Sequence, residues 1–260
     1  MNGVHVIWSV PKGMKPFKTK YEFLTAVLSA LEWKKNNGFV TLFTDCCDLF
    51  SDFKGLVWDE IKDLGQINVN PDIFWAAAKI YAMKQLKAPF CMIDTDFIVW
   101  KKLYFNDKLC AIHEEEPDIY PDYPEFLNSN RFSDKVKPVN TAFTYISDET
   151  FKDMYVNKSI EFMENYSGEA DFLKPMIFSE QRMFSMCAEK LGIKINILSS
   201  CEKLFKDGDN GFFTHLWGFK SQIDNDKAIK EAFEKKLENR IANDFPHIYI
   251  KIKEVIKNDF

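Results

Sequence analysis

Two carboxylates one residue apart, Asp94 and Asp96, follow the apolar run Phe90-Cys-Met-Ile and precede a second one, Phe97-Ile-Val-Trp100. Asp is disfavoured inside strands. An apolar strand that stops on Asp94-Thr95-Asp96 therefore marks a rim where side chains meet solvent, a metal or a ligand. Asp45 ends another apolar run, Phe39 to Phe43, in the same way. Acids in such places serve either as cation ligands or as general acids and bases. A different candidate surface lies in the acidic, aromatic and Pro-rich stretch Glu114 to Phe126, which is expected to be irregular. Long irregular segments in compact domains are often functional, and Tyr120, Tyr123, Phe126 and Arg131 suit stacking and polar contact with a ligand. The bland alternative for them is a solvated loop pinned by aromatics.

The elements that must position these residues alternate. Val4 to Trp8 reads as a buried first strand, followed by a loop, Ser9-Val-Pro11-Lys-Gly13, that is placed to touch a ligand. Thr19 to Asn36 carries apolar residues at Phe23, Val27, Leu28, Leu31 and Trp33, giving an amphipathic helix capped by Thr19 and closed by Gly38. Phe39 to Phe43 is a second strand. After a mixed stretch, Asn70-Pro71-Asp72 starts a helix that runs to Lys87. The Asp-Thr-Asp strand follows, then strands at Leu109 to His113 and Pro138 to Ile146, and a helix from Ser147 to about Tyr166. Ser179-Glu180-Gln181 reads as the start of another helix, closed by Gly192. Ile193 to Leu198 is a short strand, Asp207 to Gly211 is turn-rich, and the chain ends in two helical segments separated at Pro246. Strand and helix in alternation predict an α/β fold with a mostly parallel sheet between helices. Such sheets bind ligands at strand C-terminal ends.

The 260 residues suit one large domain, and 46% hydrophobic with 28% charged residues is an ordinary globular composition. Many of the 25 Phe residues fall inside periodic segments such as Phe39 to Phe43, and those read as core. A formal net charge of -5 argues against a nucleic-acid partner, because phosphate neutralisation needs clustered Lys and Arg. The six cysteines make no C-x-x-C pair, so buried free thiols in a reducing compartment are expected. There is neither a signal-peptide pattern nor a membrane-spanning apolar run. These features predict a cytoplasmic protein with at most peripheral contact at the inner face of the membrane.

The order of landmarks resembles a known enzyme class. Phe90-Cys-Met-Ile-Asp94-Thr-Asp96, then Val139-Asn140-Thr-Ala-Phe, Ser179-Glu180-Gln181 and His215-Leu-Trp-Gly218-Phe-Lys220 are similar to the GT-A glycosyltransferases, in particular the retaining glycogenin-like and lipooligosaccharide galactosyltransferase-like families. Those families show a D-x-D motif, an N-x-G strand, a D-Q pair and a late H-x-x-G-x-x-K. The similarity spans about residues 4 to 220, with Glu180-Gln181 in place of Asp-Gln and the lysine one position closer to the histidine. It implies a GT-A, Rossmann-like domain over residues 1–222 with a helical extension over 223–260. It also implies a metal-dependent hexosyltransferase that moves a sugar from a nucleotide sugar, with UDP the expected nucleotide, to a glycan or glycolipid acceptor with retention.

The resemblance assigns Asp94, Asp96 and His215 to a Mn²⁺ or Mg²⁺ ion, and two carboxylates with an imidazole suit either. Lys220 is then a diphosphate contact, Ser9 and Asp45 nucleotide contacts, Lys79 a phosphate or sugar contact, and Asn140 a donor-sugar contact. Gln181 or Glu180 is the catalytic candidate, Glu180 as a general base if the reaction inverts. Plain structural roles compete with each: a packed histidine for His215, a surface lysine for Lys220, a helix-start carboxylate for Glu180.

Two rival readings stand beside this one. A haloacid-dehalogenase-like phosphatase also reads apolar strand, Asp-x-Asp, with Asp94 as nucleophile. It normally carries the motif on its first strand and needs a late acid pair, for which Asp207 and Asp209 are the nearest substitutes. The other rival is a catalytically inactive sugar-binding relative. From Lys220 onward nine Lys and Arg stand against eight acids, which favours a solvated helical face over a membrane anchor.

Overall fold

The computed structural model of the chain describes residues 1–117, 120–169, 171 and 173–259, with side chains for all of these except 206–210, 258 and 259. Its strands are β1 (Gly3–Ile7), β2 (Val40–Thr44), β3 (Glu60–Asp63), β4 (Phe90–Ile93), β5 (Phe97–Val99), β6 (Leu109–Ala111), β7 (Phe143–Ile146), β8 (Ile195–Ile197) and β9 (Phe213–His215). Its α-helices are α1 (Lys20–Asn37), α2 (Cys47–Phe50), α3 (Ala77–Lys84), α4 (Pro124–Asn130), α5 (Glu149–Glu164), α6 (Lys174–Ile177), α7 (Met183–Lys190), α8 (Cys201–Gly211), α9 (Lys220–Asn225), α10 (Lys227–Asp244) and α11 (Pro246–Asp259).

Seven strands make one sheet in the order β3-β2-β1-β4-β7-β6-β8, where β7 runs antiparallel to β4 and β6 and the remaining pairs are parallel. The expected α/β architecture with a mostly parallel sheet is what the chain adopts. Alternation along β4 shows why both faces must be covered. Phe90 and Met92 enter the core on one face, and Cys91 and Ile93 enter the core on the other. A strand buried on both sides reads as a continuous apolar run.

Helix α1 is capped as expected, with the Thr19 side chain accepting from Glu22 N at 3.3 Å. It is not amphipathic in the expected sense, since Tyr21 and every residue from Phe23 to Trp33 are buried. The reason is α10, which lies over the outer side of α1. Leu237 and Ile241 of α10 join the same core and Lys20 pairs with Glu238 at 2.8 Å, while from the preceding α9 Asp224 accepts from Tyr21 Oη at 2.9 Å.

Several other boundaries differ from the sequence reading. The helix expected from Pro71 begins at Ala77, because Asn70 holds a turn of its own: its Oδ1 accepts from Asp72 N and its carbonyl from Phe74 N. The stretch ending at Phe126 is not irregular throughout, since α4 begins at Pro124 with proline in its first turn. The turn-rich reading of Asp207 to Gly211 gives way to the end of helix α8, although the side chains of Asp207 and Asp209 lie outside the described residues. Ser179-Glu180-Gln181 does not open a helix. The helical run begins at Lys174-Pro175, and Phe178–Arg182 is a π-helical turn within it. Of the cysteines, Cys91, Cys110 and Cys187 are buried, whereas Cys46, Cys47 and Cys201 are half-buried. No helix among the described residues is long and apolar enough to cross a membrane.

Candidate functional site

The C-terminal ends of β1 and β4 and the approach to β7 meet at one rim. Asp94 N donates to Ala142 O at 2.8 Å, in register with the Ile93–Phe143 pairing of β4 and β7. Phe97 N donates back to Asp94 O at 2.9 Å, so Asp94-Thr95-Asp96 is a tight turn between β4 and β5. Strand β5 then leaves the main sheet and pairs antiparallel with β9, Phe97 opposite His215, and Leu216 N donates to Asp96 O at 3.1 Å. This short pairing carries the late histidine to the two acids. One oxygen each of Asp94 and Asp96 and one His215 ring nitrogen lie within 4.8 Å of one another.

Each acid has a lysine. Lys220 Nζ lies 2.7 Å from Asp96 Oδ2, and Lys79 Nζ lies 2.7 Å from Asp94 Oδ1. Lys79 also pairs with Glu180 Oε1 and donates to Thr141 O at 3.2 Å, while Thr141 Oγ1 donates to the same Glu180 oxygen at 2.9 Å. The three donors of the buried ammonium are thereby satisfied. Glu180 itself is placed by the π turn. A widened turn leaves helix carbonyls short of partners, and α5 supplies them: Tyr155 Oη donates to Glu180 O at 2.8 Å and Ser159 Oγ to Ser179 O at 2.7 Å.

Burial lowers the His215 pKa to about 4, so at neutral pH its ring is uncharged and offers a lone pair. Burial pushes Asp96 up, but Lys220, His215 and a backbone N–H together outweigh it and hold the carboxyl at about 2. Asp94 is pushed up to about 7 by burial, against the pull of Lys79. With 31% of its side chain open to the cavity, Asp94 sheds part of that push when water or a cation stands beside it. Lys79 is pulled down by burial, yet Asp94 and Glu180 outweigh this and keep it charged.

These groups face a cavity of about 330 Å³. Asp94, Asp96, His215, Lys220, Lys79, Asn140, Glu180 and Gln181 all line it; Ser9 and Asp45 do not appear in its wall. Ser9 N and Oγ donate to the Asp45 carboxylate at 2.9 and 2.8 Å, a lock between the ends of β1 and β2. From the same loop it is Lys12 that reaches the cavity, beside Glu22. Asn140 is also part of the frame, with Oδ1 accepting from Ala142 N and Nδ2 donating to Glu115. Gln181 Oε1 accepts from the Tyr120 hydroxyl.

Of the four residues expected to meet a ligand in the loop, Tyr123 and Phe126 instead pack on Phe162, with ring centroids 4.8 and 5.2 Å apart. Arg131 ends α4 in the left-handed conformation, with φ of 56°. Lining residues that the sequence reading passed over include Glu22, Trp75, Thr141 and Trp217. Trp75 follows Ile73 and Phe74 in an apolar stretch, so nothing in the sequence marks it as a cavity residue. Gly218 lies against the exposed Phe205 ring, which would have to shift to admit a Cβ there.

Fold and site together define an α/β protein with an Asp-Asp-His cluster at the carboxyl rim of a mostly parallel sheet. The sequence of residues 8–255 matches the family described as a family of unknown function, DUF6734, and the chain belongs to that family. No curated protein matches the chain. Among solved structures it is similar to PaToxG glycosyltransferase, at 13% identity over 98% of this chain and 86% of that one, with a TM-score of 0.46. Mouse xyloside xylosyltransferase 1 in its apo form shows 7% identity over 83% and 97% of the two chains, with a TM-score of 0.41. The galactosyltransferase LgtC in complex with donor and acceptor sugar analogues shows 9% identity over 76% and 73%, with a TM-score of 0.42. At these scores the likeness is one of chain course, and the chemistry of the site is read from its own side chains.

Proposed function

We propose that this chain is a GT-A glycosyltransferase that moves a hexose from a nucleotide sugar, with UDP the expected nucleotide, to a hydroxyl of a glycan or glycolipid. The observation that carries this is the convergence of Asp94, Asp96 and a neutral His215 within 4.8 Å on one cavity wall. Two carboxylate oxygens and an imidazole nitrogen fit Mn²⁺ or Mg²⁺. Bound there, such an ion supplies Lewis-acid neutralisation of a diphosphate leaving group.

The chain's own residues do the rest. Lys220, 41% exposed, has room to turn from Asp96 toward an anionic ligand, and Lys12 stands near it on the other wall. Asn140 has one amide hydrogen left over from its framework bonds for a sugar hydroxyl. Gln181, with its carbonyl oxygen occupied by Tyr120, presents its amide to the cavity. Glu180 is committed to Lys79 and Thr141, and its side chain is 4% exposed, which makes it a poor general base. That supports retention, with the acceptor hydroxyl attacking from the leaving-group side.

A thermal-shift screen of UDP-, GDP-, CMP- and dTDP-sugars, with and without Mn²⁺, tests the reading, since ligands of the native state raise its melting temperature. Metal-dependent stabilisation by one nucleotide class, abolished in Asp96→Ala, is expected. No stabilisation of the wild type, or an undiminished metal-dependent shift in the variant, contradicts it.

A further inference from the structure

The cavity has an apolar end that the metal and phosphate chemistry leaves unused. Trp75 is 46% exposed and Leu173 45% exposed, and both line it together with Ile177. Half-open apolar side chains in a cavity wall offer a surface that the apolar face of a ligand can cover.

Their placement is built in. Leu173, at the N-cap of α6, Ile177 at its end and Gln181 in the π turn of the same helical run all face the cavity. The Trp75 segment is tied to the same run through Ala76 N, which donates to Met176 Sδ at 3.3 Å. Four residues beyond Trp75, in the first turn of α3, Lys79 pairs with Glu180 of that run. Two tiers result: a polar one of Lys79 and Glu180 and an apolar one of Trp75, Ile177 and Leu173. Lys12, Glu22 and Lys220 belong with Asp96 to a neighbouring hollow that none of the apolar residues lines. The indole therefore stands on the Gln181 side, away from the cationic pair that suits phosphates.

A ligand that matches this end has one apolar face and a rim of hydroxyls. We infer that Trp75, with Leu173 and Ile177, is a shelf for the C–H face of a pyranose ring, whose hydroxyl edge turns toward Gln181 and Asn140. The inference rests on the glycosyltransferase reading for its sugar. The ring belongs either to the donor or to the acceptor.

Calorimetric titration of the full chain with Mn²⁺ separates these sources. UDP, UDP-glucose, UDP-galactose, lactose and maltose serve as probes of the wild type, Trp75→Ala and Trp75→Phe. If the donor sugar sits on the shelf, Trp75→Ala loses about tenfold in affinity for a nucleotide sugar while UDP itself binds as before. If the acceptor sits there, the same loss falls on a free disaccharide. Trp75→Phe keeps most of the affinity in either case, and unchanged UDP binding shows that the variants fold. Saccharide affinities that do not change in Trp75→Ala overturn the inference. So does a matching loss of UDP, which would put the indole under the base, and so does a wild type to which sugar adds nothing. Absence of metal-dependent UDP binding in the wild type contradicts the glycosyltransferase reading instead, and the free disaccharides then judge the shelf alone.

Discussion

The ammonium of Lys79 lies 2.7 Å from Asp94 Oδ1 and pairs on its other side with Glu180, both inside a cavity wall where Lys79 is nine-tenths covered. One buried cation thus holds a carboxylate of the Asp-Thr-Asp turn and a carboxylate of the π turn together, and it leaves Asp94 Oδ2 as the oxygen free for a cation. Lys79 is a framework residue first, and any contact it makes with a sugar or phosphate is secondary to that.

Replacing Lys79 by Met keeps the stem and removes the charge. A buried Glu180 and a half-buried Asp94 then lose their shared partner, and breaking a buried pair costs about 3–5 kcal/mol. Urea denaturation of Lys79→Met should show a loss of that size, whereas exposed pairs such as Lys227–Glu231 should cost under about 1 kcal/mol when broken.

Tyr120→Phe removes the one donor to Gln181 Oε1 among the described residues. A single neutral hydrogen bond is worth about 1 kcal/mol, so the fold should survive with little loss of melting temperature. The amide of Gln181 becomes free to rotate. Turnover of the nucleotide sugar should fall several-fold at unchanged donor affinity, a split that steady-state kinetics against a calorimetric Kd resolves.

Stability should depend on pH through His5, which is not among the residues that line the cavity. Its ring is fully buried, accepts from Trp58 Nε1 at Nδ1 (3.3 Å) and meets Ser29 Oγ at Nε2 (3.2 Å), while Ser29 donates to Phe97 O. Burial lowers its pKa to about 3, against 6.5 for the free side chain. Between these values the unfolded chain binds a proton that the folded one does not. The stability His5 allows is complete above pH 6.5 and falls by roughly 1.4 kcal/mol per unit below it. Unfolding free energies at pH 7, 6 and 5 should fall more steeply for the wild type than for His5→Asn.

How legible the molecule was in its sequence can be argued residue by residue. β1, β2 and β4 were readable because both faces are buried, and α1 because Thr19 caps it and Gly38 ends it. The burial of α1 on nearly every side was not, since it depends on α10 returning from the far end of the chain. β3, Glu-Ile-Lys-Asp at the sheet edge, carries no apolar run to find. The pairing that brings His215 to Asp96 uses strands of three residues each, too short for periodicity to show. Asp94, Asp96, His215, Lys220, Lys79, Asn140, Glu180 and Gln181 were all selected from sequence and do share a cavity. What sequence could not supply is who holds whom. Lys174-Pro175, a helix-start signal, was passed over in favour of Ser179, and the π turn has no sequence signature at all.

The most direct test is the electron paramagnetic resonance signal of free Mn²⁺, titrated with the full chain in the presence of UDP. A divalent ion held by Asp94, Asp96 and His215 predicts that the wild type removes the free-ion signal with one site per chain, and that Asp96→Asn and His215→Gln each weaken this at least tenfold, about 1.4 kcal/mol. A wild type that leaves the signal intact, or variants that quench it as well as the wild type does, would contradict a metal at this cluster.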